Sequence, residues 1–310
     1  SKGLILMRFI DSYFYKPNFY QKVLSVLLLP ISLLYFIAAT LRRKFQRYID
    51  FKIPIISVGN LVAGGSGKTP LLQELAKKYE NVAIVSRGYK RKSKGLLVVS
   101  KNGVIKASQE ASGDEAYMLA LSLPNASVIV CKNRKLGILK AKELGAKVVF
   151  LDDGFRFNFK KLNIILEPQL KPYFRFTIPS GIYRENPFYK NPKDLFLKEG
   201  IDYKREVTIQ DQTQRMLLVT AIANPCRLDS FLPSSIVGKI TLGDHARFDL
   251  ESITKEYDRL NATSLLVTKK DLVKLLNCEL PLSILVLQIK IDDCIEGRIR
   301  QYIDSFNMES

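Results

Sequence analysis

The residues of this 310-residue chain best suited to chemistry are Gly64-Gly65-Ser66-Gly67-Lys68-Thr69. The run stands directly after the apolar segment IPIISVGN (53–60) and before the helical pattern LLQELAKKY. Strand, glycine loop and helix in that order make a phosphate cradle, because backbone N–H groups and the helix N-terminus face the anion. Lys68 is placed to reach terminal phosphates and Thr69 to offer a hydroxyl to Mg²⁺, with Val62, Ala63, Gly64, Gly65, Ser66 and Gly67 forming the loop. One departure stands out: the pattern GxxxxGK[ST] has glycine where this chain has Val62.

A second candidate is Asp152-Asp153-Gly154, which ends the apolar run KVVFL. Carboxylates at the C-terminal end of a parallel strand point into the crevice where open α/β sheets bind ligands, and they can hold Mg²⁺ there. The same residues also make an ordinary strand-ending turn. A third is Thr268-Lys269-Lys270-Asp271, of the form TKxD, which in GTPases reads the guanine base. A membrane-attached GTPase is thus the alternative function. Against it, a GTPase needs DxxG at the second metal strand, and the residue three before Gly154 is Leu151.

These groups need a scaffold, and the hydrophobic pattern supplies one. Short β-branched runs at 53–60, 81–89, 126–131, 147–153 and 162–167 alternate with helix-length segments, which indicates a mainly parallel sheet covered on both faces. Asn102-Gly103 inside LVVSKNGVIKA marks a two-residue hairpin. After a loop-rich stretch from Pro168 to Pro192, the runs at 217–225, 265–271 and 283–291 restart the alternation. The expected fold is α/β: a phosphate-binding-loop domain over 51–200, a smaller α/β domain over 201–310, and an N-terminal membrane-associated segment over 1–50.

That segment carries nineteen uncharged residues, Val23 to Leu41, with Lys22 before them and Arg42, Arg43 and Lys44 after them. It reads as a short membrane span, an interfacial helix or a buried core helix. No small-residue cleavage site precedes the basic cluster, so it lacks the form of a cleaved signal peptide. In the membrane readings the basic cluster sets the remainder on the cytoplasmic side. Lys and Arg exceed Asp and Glu by 48 to 30, and the net charge of +18 favours anionic partners: phosphorylated molecules or an anionic membrane surface. No nucleic-acid motif accompanies the charge, so no nucleic-acid partner is expected. Cys131, Cys226, Cys278 and Cys294 show no metal-type spacing and read as reduced thiols, and a single histidine, His245, excludes a His-rich metal site.

The segments SVGNLVAGGSGKTP (57–70), SRGYKRKSKG (86–95), SGDEAYMLA (112–120), LDDGF (151–155), SGIYRE (180–185), AIANPCR (221–227), LGDHARF (242–248) and VTKKD (267–271) occur in the order seen in tetraacyldisaccharide 4′-kinases, and the chain resembles that family over nearly its whole length. The resemblance implies an ATP- and Mg²⁺-dependent kinase that phosphorylates the 4′-hydroxyl of the lipid-linked disaccharide precursor of lipid A, at the cytoplasmic face of the bacterial inner membrane. It implies roles as well: Asp114 as catalytic base assisted by His245, Lys68 on the phosphates, and Glu185 beside Asp152, Asp153 and Thr69 at the metal. Arg87, Tyr89, Arg134 and Arg184 would then meet substrate or phosphate, with Asp114 and His245 converging from the two domains. Apart from the family, Asp114 reads as a helix cap and Lys90 to Lys94 as a solvated basic loop. The family continues DDGF with Gln-His, whereas this chain has Arg156-Phe157.

Overall fold

A computed structural model describes residues 2–308, except 64–66, 90, 169, 223–227, 230, 244–247, 273–274 and 276–277. The chain forms two compact units, Ser1–Lys204 with Ile291–Ser310 and, separately, Arg205–Lys290.

The larger unit begins with helices α1 (Lys2–Tyr15), α2 (Phe19–Leu27) and α3 (Leu29–Lys44). Alternation then follows: β1 (Ile55–Asn60), α4 (Lys68–Ala76), β2 (Val82–Ser86), β3 (Leu97–Lys101), β4 (Val104–Ile105), α5 (Gln109–Ser112), α6 (Asp114–Ser122), β5 (Ala126–Val130), α7 (Arg134–Glu143), β6 (Val148–Asp152), β7 (Leu162–Leu166) and β8 (Leu195–Leu197). The strands form one sheet in the order β4-β3-β5-β2-β6-β1-β7-β8, antiparallel only around β3. Every residue of β1, β2, β5 and β7 is buried. That is why these strands read as continuous apolar runs: α4 covers β1 and β6 on one face while α7 covers β2 and β5. Ile55, Val85, Ile129, Ile138 and Leu151 meet in one core cluster, and each such aliphatic contributes about 1.5–3 kcal/mol by leaving water. Asn102 and Gly103 both have positive φ, as the expected hairpin requires, and a Cβ on Gly103 would lie 1.8 Å from the Pro124 carbonyl oxygen.

In the smaller unit β9 (Tyr203–Gln210), β10 (Met216–Thr220), β11 (Ile236–Thr241), β12 (Ser264–Thr268) and β13 (Leu282–Ile291) form a second sheet, in the order β11-β10-β12-β13-β9, with helices α8 (Leu250–Arg259) and α9 (Lys269–Leu272). The last helix, α10 (Asp293–Met308), does not stay with this unit, although the sequence reading placed 201–310 together. It buries Ile299 and Ile303, one turn apart, and returns to the larger unit, where Glu296 pairs with Lys78 and Lys160 lies over the Phe306 ring.

The nineteen-residue apolar run is not one helix. It breaks at Leu28, where α2 and α3 meet at a 52° bend, and among the described residues no single helix is long and apolar enough to cross a membrane. Pro30 explains the break: it lacks an N–H and is tolerated only in the first turn of α3. Nor is the run a core helix. Its serines face inward, with Ser25 at 1% and Ser32 at 3% exposure, while Leu27 at 71% and Leu34 at 68% face out. The Ser25 hydroxyl donates to the Ser180 carbonyl at 2.6 Å and Ser32 to Thr177 at 2.9 Å, so the inner face is held by hydrogen bonds.

Candidate active site

The C-terminal ends of β1 and β6 lie side by side, Val58 in register with Asp152, and present Asn60 and the Asp152-Asp153 pair together. Asp153 turns the chain with φ +57, a conformation aspartate tolerates, and Gly154 follows where a Cβ would strike Leu151 at 2.7 Å. Lys68 opens α4 behind the left-handed Gly67, its ammonium 3.1 Å from Asn60 Oδ1 and 3.9 Å from Asp153 Oδ1. Gly64, Gly65 and Ser66, the centre of the expected cradle, lie outside the described residues; Thr69 is in the first turn of α4.

Residues 182–185 run alongside the entry to that loop. Ala63 N donates to Ile182 O at 2.8 Å, Arg184 N to Leu61 O at 2.8 Å, and Val62 bridges Tyr183. This accounts for the departure at position 62: Val62 is buried with Ile182 and Tyr183 in an apolar cluster, a place glycine cannot fill. The same pairing delivers Arg184, whose guanidinium forks Asp153 at 3.4 and 3.3 Å and donates to Asn60 Oδ1 at 3.1 Å and Val62 O at 3.1 Å. Asn60 was given no role in the sequence reading, yet it receives both Lys68 and Arg184. Its signal was only a polar residue at the end of a wholly buried strand.

Asp152 is crowded on all sides. Burial pushes its carboxyl up to about 6, Lys68 and Arg134 oppose the shift, and Asp153 and Glu115 reinforce it. Glu115 is thus a second unforeseen contributor, brought near by the start of α6. Glu185 is half-buried, and its carboxyl is likewise raised by burial against the pull of Arg156, Arg43 and Arg184. It lines a cavity of about 400 Å³ with Thr40, Arg43, Asn158, Asn186 and Tyr189.

The expected substrate groups divide. Arg87 and Tyr89 are exposed in the loop after β2. That loop reaches the start of α6, since a Cβ on Gly113 would lie 2.8 Å from the Tyr89 carbonyl oxygen. Asp114 is the first residue of α6 and is no cap, because Gly113 holds the cap position; its Oδ1 accepts from Gln109 Nε2 at 3.1 Å. Arg134 is buried at 3% exposure and donates to the carbonyls of Cys131 at 2.6 Å and Asp152 at 3.0 Å. It braces the acidic turn from behind. His245 lies outside the described residues.

Where the family has Gln-His, Arg156 contributes charge near Glu185, and Phe157 stacks on Phe159 at 5.4 Å with the Arg134 guanidinium 5.8 Å from its ring. Beneath it Lys161 donates to the Phe157 carbonyl. Burial and then the charge of Arg43 lower the Lys161 ammonium from 10.5 to about 8, with Asp194 opposing. A lysine whose folded pKa is depressed carries a penalty at neutral pH, and the penalty fades as pH rises from 8 to 10.5. Lys161→Met is therefore expected to stabilise by about 1–2 kcal/mol at neutral pH, discounted for partial exposure, with the gain vanishing towards pH 10.5. Melting both proteins across that range checks it, and a gain that grows with pH contradicts it.

In the smaller unit Asp271 is fully buried, its carboxylate accepting from Thr220 Oγ1 at 2.8 Å, Ala221 N at 3.2 Å and Thr268 Oγ1 at 2.8 Å. This aspartate ties β10 to β12, so the TKKD segment is a structural clasp and offers no carboxylate to a guanine base.

A model of the tetraacyldisaccharide-1-P 4′-kinase family matches residues 24–215. The chain is similar to the tetraacyldisaccharide 4′-kinase of Helicobacter acinonychis (strain Sheeba), 56% identical over 298 residues and 96% of each chain. It is 45% identical to that of Aliarcobacter butzleri (strain RM4018) over 306 residues, covering 96% of this chain and 97% of the other. Among solved structures it resembles the "apo" form of LpxK from Aquifex aeolicus in complex with ATP, with TM-score 0.66 and 26% identity over 90% of this chain and 99% of that one.

Proposed function

Since the chain belongs to the tetraacyldisaccharide-1-P 4′-kinase family, we propose how its own residues carry out the transfer. The protein is an ATP-dependent kinase of lipid A biosynthesis that phosphorylates the 4′-hydroxyl of a tetraacyldisaccharide 1-phosphate. The observation that carries the residue-level reading is the convergence of Lys68, Asn60, Asp153 and Arg184 from three distant stretches of sequence. Lys68 balances the charge of the terminal phosphates, and Arg184 keeps Asp153 and Asn60 in place while they are exposed to that charge. Asp114 accepts the proton of the sugar hydroxyl late in transfer, and Arg87 and Tyr89 approach the substrate from the neighbouring loop.

Thr69, Asp152, Asp153 and Glu185 are the oxygen donors that would hold Mg²⁺, which when bound would neutralise the charge that develops on the phosphates. The donor set fits that ion. Its donors are hard oxygens, and Mg²⁺ carried by a nucleotide needs only one or two carboxylates; since among the described residues no three His, Cys, Asp or Glu side chains gather, only part of this set would hold the ion at once. Incubating the purified protein with ATP, Mg²⁺ and tetraacyldisaccharide 1-phosphate is expected to add one phosphate to the non-reducing sugar, read by mass spectrometry. GTP hydrolysis without any acceptor, and no phosphorylated disaccharide, would overturn the assignment.

The outward face of α2 and α3 supports a place at the cytoplasmic face of the bacterial inner membrane. Val26, Leu27, Ile31, Leu33 and Leu34 are all more than half exposed, and Arg42 and Lys44 are exposed at the end of the same face. An apolar face edged by basic residues suits an interfacial helix pair on an anionic leaflet. The double variant Leu27→Asp, Leu34→Asp should bind vesicles containing anionic lipid about 10²-fold more weakly, with ATP affinity retained. Unchanged co-sedimentation would remove this face from the membrane.

A further inference from the structure

Arg43 does not behave like the rest of its basic cluster. Arg42 and Lys44 are exposed at the end of α3, whereas Arg43 is half-buried and folded inward. Its guanidinium carbon lies 4.3 Å from the Phe155 ring centroid and 4.7 Å from that of Tyr189, and Nη2 donates to the Tyr189 hydroxyl at 3.3 Å. The two rings meet edge to face at 4.8 Å, so the cation sits in an aromatic clamp. Tyr189 is a firm wall of that clamp. Its hydroxyl donates to Asp194 at 2.5 Å, and Asp194 accepts from Asn163 Nδ2 at 3.0 Å, on the strand beside β1. Phe155 is the other wall, buried at 3% exposure and two residues beyond Asp153 in the turn that presents the carboxylates. One helical stretch earlier, the Tyr35 hydroxyl donates to the Arg184 carbonyl at 3.1 Å. Helix α3 therefore touches Arg184 and the turn that follows Asp153.

We propose that Arg43 is a positioning residue for phosphoryl transfer: clamped between Phe155 and Tyr189, it holds the Asp153-Gly154-Phe155 turn in register with Arg184 and links that turn to the seating of α3. The proposal rests on the kinase reading above and adds to it a group that touches neither nucleotide nor acceptor. A planar guanidinium lies on two ring faces and donates to a hydroxyl at once, which an ammonium cannot do. A reacting group displaced by about 1 Å loses on the order of 10²-fold in rate.

Arg43→Ala is expected to lower kcat by about 10–100-fold, with KM for ATP within about twofold and an unchanged melting temperature. Millimolar guanidinium ion should restore several-fold activity to Arg43→Ala, and Arg43→Lys should be intermediate. Phe155→Leu should show a comparable loss that guanidinium does not relieve, because the missing wall is then a ring. A kcat for Arg43→Ala equal to that of wild type overturns the proposal, and so does a loss that tracks a lowered melting temperature and resists guanidinium. Failure of the wild-type protein itself to form product would instead sink the kinase reading.

Discussion

Replacing Lys68 by alanine is expected to lower kcat by on the order of 10²–10³, the usual penalty for removing one preorganised charge from a transition state that is stabilised mainly by electrostatics. The side chain is only 15% exposed and already poised, its ammonium shared between Asn60 and Asp153 before any ligand arrives. A pre-placed cation need not be reorganised as charge moves off the γ-phosphate, and that gives it its weight in the rate. The variant should stay folded. Arg184 continues to hold Asp153 and Asn60, and α4 keeps Leu71, Leu72 and Leu75 buried beneath the sheet. Single-turnover rates at saturating ATP, with thermal melts beside them, separate the loss from instability. A rate within about tenfold of wild type would dismiss Lys68 as a phosphate-binding group.

Asp114→Asn is expected to reduce turnover by about 10²–10⁴ while leaving ATP affinity nearly unchanged, the signature of a base that acts only as the acceptor oxygen loses its proton. The asparagine keeps the shape and can still accept from Gln109 Nε2, so the start of α6 loses no hydrogen bond of that kind. Nor does it lose a cap, because Gly113 occupies that position. A large effect would therefore have to come from the missing negative charge. Calorimetric ATP binding together with acceptor-dependent turnover tests this; a drop below tenfold, or one matched by weakened ATP binding, would point to another base.

Asn60, Arg184 and Arg134 show why part of the site was legible and part was not. The Lys68 loop and the Asp152-Asp153 pair are strings of neighbours, and their chemistry follows from local order: strand, turn, then helix N-terminus. Arg184 was legible only through the family resemblance, as an arginine that would meet substrate or phosphate. Its fork on Asp153 depends on residues 61–63 pairing with 182–184, a contact between segments about 120 positions apart that no local periodicity encodes. Arg134 and Arg87 look alike in sequence, yet one is buried against two carbonyls and the other is exposed.

The sequence alone determined the α/β class, the covered parallel sheet, the Asn102-Gly103 hairpin and the strand-to-helix framing of Lys68. Each rests on interactions between near neighbours or on a burial pattern written along one strand. The tertiary structure decided the direction in which each face points. Nineteen uncharged residues could form a span, an interfacial helix or a core helix; packing against residues 177–180 turned their serines inward and left leucines facing out on both sides of the bend at Leu28. It also sent α10 back to the larger unit and folded Arg43 between two rings. These outcomes depend on long-range pairing, in which the partner is chosen by sheet order and not by spacing along the chain.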